Sequence, residues 1–172
     1  TTKINDKTFD LGSTAISNAL IEKDNLNSPE EILPLILYTC PKCFLVQIEN
    51  QVESHKIFNE KYVYFSSLSQ FWLDHAHKFC EDIKNYLNLD SKSFVIEIAS
   101  NDGYLLKNFV EAGINCLGIE PTQSTADNAL SIGVPTLVEF FNLDLAIQLK
   151  EQVMFGDLII LNNALAHVPE IN

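Results

Sequence analysis

Three observations predict an α/β fold built on a parallel sheet covered on both faces. From Phe94 onward, apolar runs of strand length alternate with amphipathic stretches of helical length. Two of those stretches close on a glycine, Gly113 and Gly133, the residue that most easily ends a helix in a left-handed conformation. A polar break, "NLDSKS", separates this region from what precedes it. Strands that alternate with helices of this length call for right-handed βαβ units.

The elements follow in order. "LPLILYTCPKCFLVQIE" reads as a strand, a tight thiol turn and a second strand. A helix is expected from Ser66 to about Leu89. Its residues Leu68, Phe71, Trp72, His75, Ala76, Phe79, Ile83, Tyr86 and Leu87 fall near helical spacing and predict one buried face. "FVIEIA" is then a strand and "GYLLKNFVEAG" a helix. "NCLGIE" is a second strand followed by the helix "TQSTADNALSIG". "PTLVEFF" reads as a third strand, "LDLAIQLKEQV" as a third helix and "DLIILNN" as a fourth strand.

The formal net charge of -12 argues against a phosphate backbone or an anionic lipid surface as partner. Neither a nucleic acid nor a membrane is therefore expected. The most apolar run, "EEILPLILYTC", is short and broken by Pro34, and no basic start leads into an apolar signal segment. Four cysteines with one tight pair point to metal or free thiols and to a reducing cytoplasm. The only methionine is Met154, and the sequence ends at "AHVPEIN" straight after an apolar strand. The expectation is a piece of a longer protein, whose last strand would lie at an unpaired sheet edge.

In a doubly wound sheet, ligands collect beyond the carboxyl ends of the strands where strand order reverses. Ala99, Ser100, Asn101, Asp102 and Gly103 would lie there, with the next helix beginning near Gly103 and offering free N–H groups. Glu120 ends the following strand, 23 positions after Glu97, where a carboxylate can accept both hydroxyls of a ribose. A dinucleotide needs three glycines so that its pyrophosphate can approach the backbone. This turn has one, which argues against NAD. A nucleoside without phosphate and with an amino-acid tail tolerates the side chains, and S-adenosyl-L-methionine fits. The plain alternative is a strand–turn–helix with a surface acid.

Cys40 and Cys43 have the spacing that lets two thiolates reach one tetrahedral Zn2+. One pair is half a structural site, and a tight turn with two free thiols is the alternative. Cys80 and Cys116 read as small buried hydrophobes.

"YVYFSSLSQFWLDHA", "VIEIASNDGYLL", "GIEPTQSTADNA", "GVPTLVEFF" and "DLIILNNALAHVPEIN", in this order, resemble the sugar C-methyltransferases that act on nucleotide-linked keto-deoxysugars. The likeness runs from "FDLGSTAISNALI", at about Phe9, to the last residue. It implies a zinc-binding segment over residues 1–60, a helical linker over 61–90, and the first half of a Rossmann-like class I methyltransferase sheet over 91–172. The zinc segment and the sheet would both be incomplete, with a second thiol pair lying before Thr1. The resemblance further implies that Glu97 and the Ala99–Gly103 turn line the methionine end of the cofactor. Glu120 would hold the ribose, Pro121 would flank the adenosine, Phe140 would pack near adenine, and Asn162 and Asn163 would close the pocket floor.

Methylation at carbon needs a proton removed beside a ketone and an enolate held in line with the methyl group. His167 follows the fourth strand on the cofactor edge and could move that proton; it could equally cap a helix. Tyr62 and Tyr64 could set a phenol over the ketone or a ring against the sulfonium, or serve as core aromatics. The resemblance places a tyrosine there and His167 on the substrate side, and puts the main base outside the chain. His75 and His77 read as helix-face residues without chemistry. A zinc-stabilised module that binds a nucleoside or a partner without turnover is the competing function, and an NAD-linked oxidoreductase the third.

Overall fold

In the computed structural model, which describes residue 4, residues 7–49 and residues 52–165, the chain forms two units, Thr1–Ile57 and Phe58–Asn172. Each has its own sheet.

The first unit is a three-stranded antiparallel sheet of β1 (Lys7–Ala15), β2 (Ile32–Thr39) and β3 (Val46–Ile48), followed by a single helical turn, α1 (Ser54–Ile57). The strand–thiol turn–strand reading holds here. β1 has no counterpart in the expected elements, because "KTFDLGSTA" carries too many small and polar residues to show strand alternation. It is irregular, with register shifts on either side of Phe9–Asp10. Gly12 adopts φ 81°, and its N–H donates to Asp10 Oδ1 at 2.9 Å. Pro34 is tolerated inside β2 because β3 pairs only with Leu37, Tyr38 and Thr39. The missing N–H therefore falls where β2 is paired on one side. Cys40 is the one buried residue among the described residues of this unit.

The second unit opens with α2 (Gln70–Leu87). Ser69 caps it by accepting from Trp72 N, and Asn88 ends it in a left-handed conformation. Then come β4 (Phe94–Ile98), α3 (Leu106–Glu111), β5 (Asn115–Ile119), α4 (Gln123–Ser131), β6 (Thr136–Leu137), α5 (Leu143–Glu151) and β7 (Leu158–Ile160). All pairings are parallel and the strand order is β6-β5-β4-β7. The chain thus builds outward from β4 in one direction and then returns to its other side. The order reverses at β4, which makes the carboxyl end of that strand the switch point of a Rossmann-like α/β sheet.

Alternation along β4 sends Val95 and Glu97 to one face, Ile96 and Ile98 to the other. Val95 joins a cluster with Ala76 and Cys80 of α2, Leu106 and Phe109 of α3, and Tyr104 and Leu105. Ile96 and Ile98 pack with Ile119, Leu145 and Leu149. The buried face of α2 differs from the expected one. Leu68, Phe71 and Tyr86 are 82%, 81% and 81% exposed, and Leu87 is exposed as well. The face that packs is centred on Ala76 and Cys80, with Trp72, Leu73, Phe79 and Ile83 around it. Small side chains let the helix approach closely, so the large apolar residues on the neighbouring stripe stay outside. β6 is two residues long where seven were expected, and α3 begins at Leu106, three residues beyond Gly103.

Gly103 has φ 78°, and a Cβ there would meet Ala129 Cβ and Val134 Cγ2, each at 3.1 Å. Gly113 has a similar φ of 72° with nothing within 4 Å. Gly113→Ala should therefore cost about 1 kcal/mol for the left-handed backbone alone. Gly103→Ala should cost about 1–3 kcal/mol more from overpacking against α4. Urea unfolding followed by Trp72 fluorescence checks this; equal losses would contradict the close approach of α4.

Candidate functional site

The turn after β4 is built from alternating left-handed residues: Ala99 at φ 58°, Asn101 at 52° and Gly103 at 78°. Two of the three carry side chains, a conformation that costs free energy and persists only where neighbours over-determine it. Here they do. Ala99 N and Ser100 N both donate to Ile119 O, at 2.8 and 3.2 Å. Asn101 N donates to Glu120 Oε2 and Thr122 N to Glu120 Oε1, both at 2.9 Å. Glu120 thus ties the turn after β4 to the chain leaving β5. Gly118 on β5 leaves room for the Ser100 side chain, whose Cβ would lie 3.0 Å from a Cβ at that position. Ala99 stands exposed at the rim, while Gly103 is buried against α4.

Glu97 is 1% exposed, Asp102 0% and Glu120 4%. Among the described residues, neither carboxyl oxygen of Glu97 has a hydrogen-bond partner, nor do Asp102 Oδ1, Ser100 Oγ and Thr122 Oγ1. Buried polar atoms are normally satisfied, and each orphan costs about 1–3 kcal/mol. Five of them around one turn mark the place where this unit gives up stability. Burial, then the charges of Glu120 and Asp102, hold the Glu97 carboxyl well above the ordinary glutamate range. The same region pushes the thiols and phenol beside it upward. Burial, followed by the Glu97 charge, takes Cys80 to about 12 and Cys116 to about 11. Tyr104 is also pushed to about 12, by burial and then the Glu97 charge, with Asn162 and Trp72 acting in the opposite direction. Cys80 and Cys116 are buried, as expected. High thiol values make them inert.

The segment Tyr62–Ser67 lies across this turn. Ser66 N donates to Asn101 Oδ1 at 2.8 Å, Ser67 N to Asp102 Oδ2 at 3.0 Å, and Asn101 Nδ2 to Tyr64 O at 3.1 Å. Ser124 Oγ donates to Tyr62 O at 3.4 Å. Tyr62 is half-buried with its ring 5.3 Å from that of Phe58. Burial and then the charge of Glu120 raise its phenol. Tyr64 is exposed.

The structure therefore brings together Glu97, Ala99, Ser100, Asn101, Asp102, Gly103 and Glu120, with Tyr62 and Tyr64 on the overlying segment. Pro121 follows directly at the end of β5. Phe140 is half-buried just beyond β6, and Asn162 and the left-handed Asn163 follow β7. His167 lies outside the described residues. Of the two helix-face histidines, His75 stacks on Trp72 at 5.1 Å and His77 Nδ1 lies 3.1 Å from Asn108 Oδ1. Sequence reasoning missed Thr122 and Tyr104, both buried and polar at the site. The signal was adjacency: Thr122 sits two residues after Glu120, and Tyr104 directly follows the turn. In the first unit, Cys40 N donates to Leu45 O and Phe44 N to Cys40 O, each at 2.9 Å, with Phe44 left-handed at φ 63°. Cys40 is buried and Cys43 exposed. Among the described residues no group of three or more His, Cys, Asp or Glu could hold a metal, and no helix is long and apolar enough to cross a membrane.

A raised Glu97 carboxyl fixes the sign of a pH effect. Below about pH 4.3 both folded and unfolded chains hold the proton. Above it the unfolded chain releases the proton while the folded one keeps it. Stability then falls by up to about 1.4 kcal/mol per pH unit until the folded value is reached. Glu97→Gln removes that penalty. Its unfolding midpoint should match the parent near pH 4 and exceed it at pH 8. A variant less stable than the parent at pH 8 would contradict the assignment.

Residues 2–58 match the family model described as "Putative zinc binding domain". Over 162 residues the chain is 25% identical to the C-methyltransferase NovU of Streptomyces niveus, covering 94% of this chain and 38% of that protein. The chain thus spans well under half the length of the curated relative it matches. The zinc-binding match falls on the N-terminal part of the chain, and the similarity to a C-methyltransferase runs along nearly the whole of it.

Proposed function

We propose that the chain serves an S-adenosyl-L-methionine-dependent C-methyltransferase whose substrate is a nucleotide-linked keto-deoxysugar. The observation that carries the reading is the set of buried, unpartnered carboxyl oxygens at the carboxyl end of β4. An ammonium or sulfonium group is attracted there, and a diphosphate is repelled. The similarity to a C-methyltransferase supports the same reading.

In this reading Glu97 and Asp102 face the positive, methionine end of the cofactor. Ala99 leaves the rim of the turn open. Glu120 already accepts two N–H groups, and its remaining lone pairs accept ribose hydroxyls. Pro121 and Phe140 flank the adenosine, and Asn162 and Asn163 close the floor. Bound S-adenosyl-L-methionine supplies the electrophilic methyl group. The chain's own work is to bind it, to exclude water, and to hold the sugar ketone with Tyr62, Tyr64 and His167. For zinc, Cys40 and Cys43 supply two of the four donors of a tetrahedral site. A unit with one buried residue among those described has little core of its own, which is the circumstance in which a structural metal contributes folding free energy.

Calorimetric titration of the chain with S-adenosyl-L-methionine and with NAD tests the reading. The sulfonium compound should bind, NAD should not, and Glu120→Gln should weaken binding about tenfold or more, the loss of roughly one charge-assisted hydrogen bond. Binding of NAD with no response to S-adenosyl-L-methionine would overturn it.

A further inference from the structure

We infer that Asn101 and Asp102 are positioning residues that fix the tyrosine-bearing segment Tyr62–Ser67 across the carboxyl ends of β4 and β5, coupling occupancy of the turn to the placement of Tyr62 and Tyr64. The coupling rests on the proposed cofactor site; the anchoring does not.

Asn101 is spent on that segment. Its side chain accepts from Ser66 N and donates to Tyr64 O, as a neighbouring strand would, and its backbone is left-handed. Asp102 adds a charged acceptor for Ser67 N. Asn101, Asp102 and Ser66 are all at least nine-tenths buried, so water competes little for these hydrogen bonds. A second anchor stands on the far side, where Ser124 at the start of α4 reaches Tyr62 O. The segment therefore spans from the chain after β5 to the turn after β4.

Apolar packing covers only part of it: Tyr62 and Phe65 are half-buried, and the Tyr62 ring meets Phe58. Val63, Tyr64 and Leu68 are exposed. Polar contacts at Tyr62 O, Tyr64 O, Ser66 N and Ser67 N hold the segment along its length, and both tyrosines lie within that span. Asn101 also joins the two functions in one residue. Its N–H goes to Glu120 Oε2 while its side chain holds the segment. Burial and then the Glu120 charge raise the Tyr62 phenol. A ligand that draws on the Glu120 carboxylate must thus act on Asn101 and, through it, on the tyrosines. Reciprocity requires that loosening the segment weaken the ligand by the same factor.

Amide hydrogen exchange resolved by NMR on this chain, with and without S-adenosyl-L-methionine, tests the inference. In the parent, the Ser66 and Ser67 amides should exchange slowly and slow further, severalfold, on addition of the compound. Asn101→Ala should raise Ser66 exchange about tenfold or more and abolish the ligand-dependent slowing, while α2 keeps its protection. Asp102→Ala should release Ser67, and Asp102→Asn, which keeps an acceptor oxygen, should restore it. If the compound binds but Ser66 and Ser67 exchange equally with and without it, the coupling is wrong and the cofactor reading stands. If the compound does not bind, the cofactor reading and the coupling fall together. Loss of α2 protection in both alanine variants would make the two residues general supports of the fold and overturn the positioning role.

Discussion

The constraint on which the site depends is the burial of Glu97 at the end of β4 beside two more acids. Among the described residues that carboxyl group has no hydrogen bond to offset its desolvation, and the two charges that raise it are carboxylates. Any well-packed sheet would be more stable with a valine there. Polar groups that cost stability without local return are the hallmark of sites shaped for something other than folding. The surrounding turn is arranged to tolerate the cost. Glu120 accepts from two backbone N–H groups, so the crowding falls mainly on Glu97, whose carboxyl is held well above the ordinary glutamate range.

Three local devices keep this arrangement in place. Left-handed residues bend the chain sharply enough to set Asp102 and Asn101 beneath the Tyr62–Ser67 segment. Gly118 on the adjacent strand leaves space for Ser100, and Gly103 leaves space for α4. The first unit follows a different logic. Its sheet has a thiol hairpin but almost no interior, with Cys40 the one buried residue among those described.

Much of the architecture was legible because the parallel-sheet region repeats a simple pattern. "FVIEIA", "NCLGIE" and "DLIILNN" are predominantly apolar at their centres, and each contains a strand. Glu97, Asn101, Asp102 and Glu120 were legible as a group because strand ends can be read from hydropathy, and strand ends are where such sheets bind ligands. Tertiary context decided the rest. Leu68, Phe71 and Tyr86 look like core by size and spacing, yet Ala76 and Cys80 set the packed face because closeness of approach outweighs side-chain area. "PTLVEFF" has strand composition, but only Thr136 and Leu137 find partners on β5. The partners of the Asn101 side chain lie 35 and 37 residues away, a relation that no local pattern encodes.

The most direct test of the account is a titration of the Glu97 side-chain carboxyl by carbon-13 NMR on the ligand-free chain. The account predicts that this carbon titrates well above the ordinary glutamate range, and that adding S-adenosyl-L-methionine moves its titration downward. Ionisation of Glu97 near the ordinary glutamate value of about 4.3 would contradict it.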